Sequence, residues 1–122
     1  MSKVNYFELQ ADNPEQAMAF YETAFGWKFN KSGMGQGYWS FEAGPKEEPG
    51  TNGGMMKREF PGHGNLITIF VEDLDETLVK IEAAGGKIIH PKMPVTGIGW
   101  AAYFTDSEGN AAGVFQHDPG AK

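Results

Sequence analysis

The chain of 122 residues contains no cysteine. That excludes disulfides, thiolate nucleophiles and cysteine-based metal sites, and it fits a reducing, cytoplasmic setting. Long apolar runs are also missing. No stretch approaches the ~20 residues of a membrane span, and the opening MSKVNYFEL has no apolar run that would mark a signal peptide. Positive charge is scarce, with ten Lys and Arg against sixteen Asp and Glu and a net charge of −6. Phosphate neutralisation needs clustered cations, so neither nucleic acid nor membrane is expected as a partner. Hydrophobic residues make up 40% of the chain, enough for a core without a disulfide or metal staple. The 17 glycines cluster between apolar runs, where they serve turns.

The chain is organised around a repeat. Phe7–Phe29, FELQADNPEQAMAFYETAFGWKF, matches Ile67–Ile89, ITIFVEDLDETLVKIEAAGGKII, at a constant offset of 60. Phe7 falls on Ile67, Leu9 on Ile69, Asn13 on Asp73, Gly26 on Gly86. Each segment predicts strand, capped helix and strand. Asn13 and Asp73 are the expected N-caps, with Gln16 and Glu76 at the capping-box spacing and Pro14 at the first helical position. The first helix is expected to bury Ala17, Phe20, Tyr21, Ala24 and Phe25, and the second Leu74, Leu78, Ile81 and Gly85. Gly26 and Gly85-Gly86 suit helix ends.

The rest divides between the halves. Gly33–Gly37 predicts a turn, Gly37–Ala43 a strand, Gly44–Asn52 an exposed loop, Gly53–Glu59 a strand, and Phe60–Gly64 the linker. In the second half Lys87–His90 is the expected short strand. Gly97–Trp100 echoes Gly35–Tyr38 at an offset of 62. Strands Trp100–Thr105 and Ala111–Gln116 flank a turn at Asp106–Asn110, and the tail is expected to fray. The fold class is therefore α+β. Two tandem βαβββ modules, residues 3–59 and 65–117 of one domain, are expected to join their mixed sheets into a cupped, partly closed barrel with helices outside. Strand alternation puts Phe7, Leu9, Ile67 and Ile69 toward the helices. Tyr6, Glu8, Gln10, Leu66, Thr68 and Phe70 then face the cup.

The βαβββ repeat, ADNPEQAMAFYETAFGW, VEDLDETLVKIEAAGGK and YFTDSEGNAAGVFQ resemble the glyoxalase/bleomycin-resistance/extradiol-dioxygenase (vicinal oxygen chelate) superfamily across nearly the whole chain. The resemblance implies a homodimer with a cupped sheet around a small molecule. Catalytic members hold a divalent metal there through His and Glu of both halves and act as lyases, isomerases, epimerases or dioxygenases, whereas others only bind a drug. The positions matching those ligands are Tyr6, Leu66, Met56 and Gly113. None offers an imidazole or carboxylate, so no metal or other cofactor is expected.

The expected function is binding of a small, partly apolar organic molecule without the family's metal. The expected lining is Tyr6, Glu8, Gln10, Met56, Arg58, Leu66, Thr68, Phe70, Trp100, Gly113 and Phe115. Met55, Met56, Tyr38, Phe70, Trp100 and Phe115 would make an apolar lining suited to irregular ligand surfaces, although ordinary sheet packing would use the same residues. Arg58 suits a ligand carboxylate or phosphate, or a solvated strand end. Glu8 and Tyr6 are the candidate acid or base of a metal-independent enzyme, the alternative reading. A metal-dependent enzyme would need atypical ligands such as Glu8, Glu42 and His117. His63, His90 and His117 lack metal-ligand spacing and are expected in loops or at strand ends. A partner-binding regulatory module is the third alternative.

Overall fold

A computed structural model describes residues 2–30, 37–60 and 62–122. The turn expected at Gly33–Gly37 lies, but for Gly37, outside them. The elements run β1 (Lys3–Ala11), α1 (Pro14–Phe25), β2 (Lys28–Phe29), β3 (Tyr38–Glu42), β4 (Gly53–Lys57), β5 (Leu66–Phe70), α2 (Leu74–Ala83), β6 (Lys87–Val95), β7 (Gly99–Thr105) and β8 (Ala111–His117). The class is α+β, with two helices and mixed strand pairing among the described residues. Two compact units emerge, Tyr6–Leu66 and Ile67–Lys122, the latter joined by residues 2–5.

The first unit orders its strands β2-β3-β4-β1, and the second β6-β7-β8-β5. In each, the first strand pairs parallel with the last and the remaining pairs are antiparallel. The duplication in sequence is thus a duplication in topology. Within neither unit do the outer strands pair with each other, so each unit's strands form an open array.

Local chemistry starts both helices as expected. The Asn13 side chain accepts from Gln16 N at 3.2 Å and Asp73 from Glu76 N at 3.0 Å, each cap worth about 1 kcal/mol. Gly26 ends α1 at φ 74°, and its N–H donates to Glu22 O, the left-handed stop that glycine makes without steric cost.

The helix-side faces carry the cores. In the first unit Leu9, Met55, Phe41 and Met18 are buried, with Phe7, Trp27 and Trp39 packed on them. Trp27 stacks on Phe41 at 4.7 Å between centroids. The expected α1 stripe needs correction. Met18 is 2% exposed, whereas Phe20 and Phe25 are 58% and 63% exposed. The buried line runs through Pro14, Ala17, Met18 and Tyr21 at steps of three and four, and Phe20 and Phe25 fall beside it, against Tyr21. In the second unit Val71, Leu74, Ala102, Phe104, Ala112 and Val114 are buried, with Ile69, Leu78 and Ile81 against them. Ile67, expected beside Ile69, is 48% exposed.

Two boundaries also differ. β6 continues through Pro91 and Pro94 to Val95, with irregular register past Ile88. It pairs with β7 and ends its unit's strand order, where a missing N–H costs no ladder bond on the open side. The tail does not fray. Asp118 N donates to Ile98 O and Gly97 N to Ala121 O, both at 2.9 Å, and Ala121 is 2% exposed.

Candidate functional site

Opposite α1, the first unit's sheet shows Tyr6, Glu8 and Gln10 of β1. The ladders align Glu8 with Gly54 and Gln10 with Met56, then Gly54 with Ser40 and Met56 with Tyr38. Glu8 is 5% exposed. Beside it, Gly54 leaves a gap in the sheet face that the Tyr38 side chain fills, since a Cβ at 54 would fall on the Tyr38 hydroxyl and ring. That close approach lets Tyr38 reach diagonally over β4. Its hydroxyl lies 2.7 Å from the Tyr6 hydroxyl and also bonds Glu8. Two phenols and a carboxylate from β1 and β3 therefore form one chain over a strand glycine.

Electrostatics keep both phenols protonated. Burial pushes Tyr6 above the ordinary 10.0, the Glu8 charge adds to this, and the Tyr38 bond opposes it in part. Tyr38 rises for the same first two reasons, burial and then the Glu8 charge. A protonated phenol can both donate and accept a hydrogen bond, so Tyr38 can bridge Tyr6 and the Glu8 carboxyl group.

Gln10 and Arg58 have other engagements. Gln10 is 7% exposed. Its Nε2 donates to Gly64 O at 2.7 Å and His63 O at 3.2 Å, and its Oε1 accepts from Glu59 N at 3.1 Å and Phe60 N at 3.3 Å. Arg58 Nε donates to Asp12 Oδ1 and Nη1 to His63 O, both at 3.0 Å. These two side chains hold the linker rather than standing free on the sheet.

In the second unit Thr68, Phe70, Gly113 and Phe115 share the face away from α2. Thr68 aligns with Gly113 and Phe70 with Phe115, and the two Phe rings sit 5.0 Å apart. Thr68 is 8% exposed, with no partner for its Oγ1 among the described residues. Leu66 is 1% exposed. The grouping of Trp100 with this face is corrected. Trp100 aligns with Gln116 and packs with Ala102 and Phe104 on the α2 side. Its indole donates to Asp118 Oδ2 at 3.0 Å, and Lys92 Nζ sits 4.6 Å above the ring. The bond from Trp100 leads the causes that hold the Asp118 carboxyl below its ordinary value.

The donor set does not fit the metal that the family's catalytic members carry. Met56 and Leu66 are buried apolar side chains, Gly113 has no side chain, and the Tyr6 phenol is bonded to Tyr38 and held protonated. Of the atypical candidates, Glu42 and His117 are exposed strand-end residues. His90 donates from Nδ1 to Pro91 O within β6, and the His63 carbonyl belongs to the linker clamp. No three His, Cys, Asp or Glu among the described residues group to hold a metal ion. No described helix is long and apolar enough to cross a membrane.

Duplicated βαβββ topology, helices on one face and polar side chains buried on the other define a class of paired-module α+β proteins. Comparison with known proteins names it. The profile of the Glyoxalase/Bleomycin resistance protein/Dioxygenase superfamily matches residues 3–114, and the chain belongs to that superfamily. A Mycobacterium bovis protein named "Putative glyoxylase CFP32" is 33% identical over 116 residues, covering 92% of this chain and 43% of the relative. The chain thus spans less than half the length of the curated relatives it matches. Among solved structures, methylmalonyl-CoA epimerase from Mycobacterium tuberculosis aligns with TM-score 0.67 at 12% identity, covering 95% of this chain and 88% of the epimerase. The Mn(II)-bound glyoxalase from Novosphingobium aromaticivorans aligns with TM-score 0.65 at 18% identity, covering 99% and 41%. At these identities the likeness is one of fold.

Sequence reasoning found Tyr6 and Glu8 but placed Tyr38 only among apolar lining residues. The available signal was the Gly53-Gly54 pair inside a strand, which marks a close approach by another group.

Proposed function

We propose that the chain binds a small, partly apolar organic molecule on the first unit's sheet face opposite α1, without the metal used by the family's enzymes. The observation that carries this reading is the buried Glu8 tied through Tyr38 to Tyr6. Burying a carboxylate and two phenols costs free energy, and such polar groups amid apolar surface characterise recognition sites. Met56, 5% exposed on the same face, supplies apolar surface beside them. Ligand-detected NMR against a library of small aromatic and aliphatic compounds tests the reading. Hits should weaken about tenfold in Tyr6→Ala and Met56→Ala. Unchanged affinity in both variants would move the site elsewhere, and stoichiometric Zn, Ni, Fe or Mn in the purified protein would overturn the metal-free part.

A second reading is favoured by the same buried carboxylate: metal-independent proton transfer, with Glu8 as base and the phenols holding it in place. Its signature is solvent deuterium entering a bound carbonyl compound, abolished in Glu8→Gln. Retained exchange in that variant would remove Glu8 from the chemistry.

A further inference from the structure

Phe20 of α1 is 58% exposed and lies outside the first unit's buried core. It lines an open surface cavity of about 520 Å³, within the roughly 300–1,000 Å³ of small-molecule sites. Asn13, Gln16, Ala17 and Phe20 border this cavity at steps of three and four, so it runs along one face of the helix. At 1.5 Å per residue that face is about 10 Å long. Asp12 and Arg58 are the only charged residues among the described lining, and Asp12 directly precedes the helix cap. The cavity is thus charged where α1 begins and aromatic at Phe20.

The ion pair keeps capacity to spare. Arg58 Nε donates to Asp12 Oδ1 at 3.0 Å, Nη1 to His63 O at 3.0 Å, and Nη2 reaches Gln10 O at 3.5 Å. These bonds use three of the five N–H groups of a guanidinium. Asp12 Oδ2 has no bond among the described residues, and the Asp12 side chain is 86% exposed. Adjacent opposite charges select the ligand. A lone carboxylate at Arg58 meets the Asp12 charge, and a lone ammonium at Asp12 meets the guanidinium. A molecule carrying both sets each against its opposite.

We propose that this cavity binds a zwitterionic amino acid with a flat apolar side chain, its carboxylate on the spare N–H groups of Arg58, its ammonium on Asp12 and its side chain along α1 toward Phe20. The site is separate from the sheet face opposite α1 and stands without that reading.

Tryptophan, indole-3-propionate and tryptamine test this, because they share a ring while the second lacks the ammonium and the third the carboxylate. Binding to the full chain is followed by calorimetry and by NMR shifts of labelled Phe20, Tyr21 and Tyr6. Tryptophan should bind about tenfold more tightly than either analogue, the difference of one charge-assisted hydrogen bond. In Asp12→Asn, which keeps the shape and removes the charge of an exposed side chain, indole-3-propionate should come within about threefold of tryptophan. In Phe20→Ala tryptophan should weaken about tenfold, the worth of an aromatic contact. No binding of tryptophan at millimolar concentration, equal binding of the three probes, a tenfold preference over indole-3-propionate surviving in Asp12→Asn, or unchanged affinity in Phe20→Ala would overturn the proposal. Shifts at Tyr6 in place of Phe20 and Tyr21 would also overturn it, and would move the molecule to the sheet-face site.

Discussion

Replacing Gln10 with leucine separates a scaffold residue from a ligand contact. The side chains are close in size, so the change removes polarity with little change of volume. Four bonds between 2.7 and 3.3 Å join the Gln10 amide to the backbone of residues 59, 60, 63 and 64. At a net ~1 kcal/mol each, the two longer ones weaker, their loss costs about 3 kcal/mol. Backbone groups left without partners under a buried leucine push the figure upward, and water reaching the linker pulls it back. For 122 residues unfolding in one step, entropy of about 2.1 cal/mol/K per residue converts 3 kcal/mol into a fall of about 12 °C in Tm. Calorimetry with urea denaturation measures both quantities. Hydrogen exchange should show opening at Glu59 and Phe60, whose N–H groups Gln10 accepts. A Tm within about 2 °C of the parent, with those amides still protected, would refute the clamp and return Gln10 to the exposed polar face.

Three further outcomes follow from the same geometry. Gly54→Ala places a methyl group on the Tyr38 hydroxyl, so stability should fall by about 2 kcal/mol and the phenol pair separate; an unperturbed Tyr38 side-chain signal in NMR would contradict this. Tyr6 and Tyr38 have folded pKa values raised above 10.0. Their contribution to stability is therefore full below pH 10 and declines as the unfolded chain's phenols ionise above it. Absorbance titration should show Tyr6 and Tyr38 ionising later than free phenol, and ionisation of all four tyrosines near pH 10 in a folded chain would refute the assignment. Thr68→Val removes a buried hydroxyl that no described group bonds. It should raise stability by about 1 kcal/mol, or about 4 °C in Tm, whereas a comparable loss would mean that solvent satisfies the hydroxyl.

Much of the fold is legible in the sequence because it was written twice. The offset of 60 fixes both helix starts, and alternation puts Leu9 and Ile69 on the helix side. Where reading failed, one residue of register was enough. The glycine turns pair Tyr38 with Trp100, an offset of 62. The ladders instead run Gln10–Met56–Tyr38 in one half and Phe70–Phe115–Ala101 in the other, an offset of 63. In a strand a slip of one residue exchanges faces, and Trp100 went to the α2 side. Gln10 failed differently. Alternation says that its side chain leaves the helix face, but not whether the amide meets solvent, a ligand or the chain's own linker. The Phe20 and Phe25 error belongs to composition, since aromatic residues at nearly helical spacing imitate a buried stripe.

The two halves share one arrangement with different chemistry in it. Glu8 and Thr68 occupy equivalent places, each aligned with a strand glycine, Gly54 or Gly113. A tyrosine ring lies against each glycine, Tyr38 at Gly54 and Tyr103 at Gly113, where a Cβ would come within 3.1 Å of the ring. The glycines are the invariant of this comparison, because each makes room for a ring against the sheet. What differs is the side chain beside the glycine. A carboxyl group in the first half bonds the seated tyrosine and raises its pKa, whereas the hydroxyl in the second has no partner among the described residues. Changing Glu8 to threonine would give the first half the second's chemistry. The ring would stay seated on Gly54, the Tyr38 hydroxyl would lose its carboxyl partner, and Tyr38 would ionise closer to the ordinary phenol value of 10.0 although the fold remained.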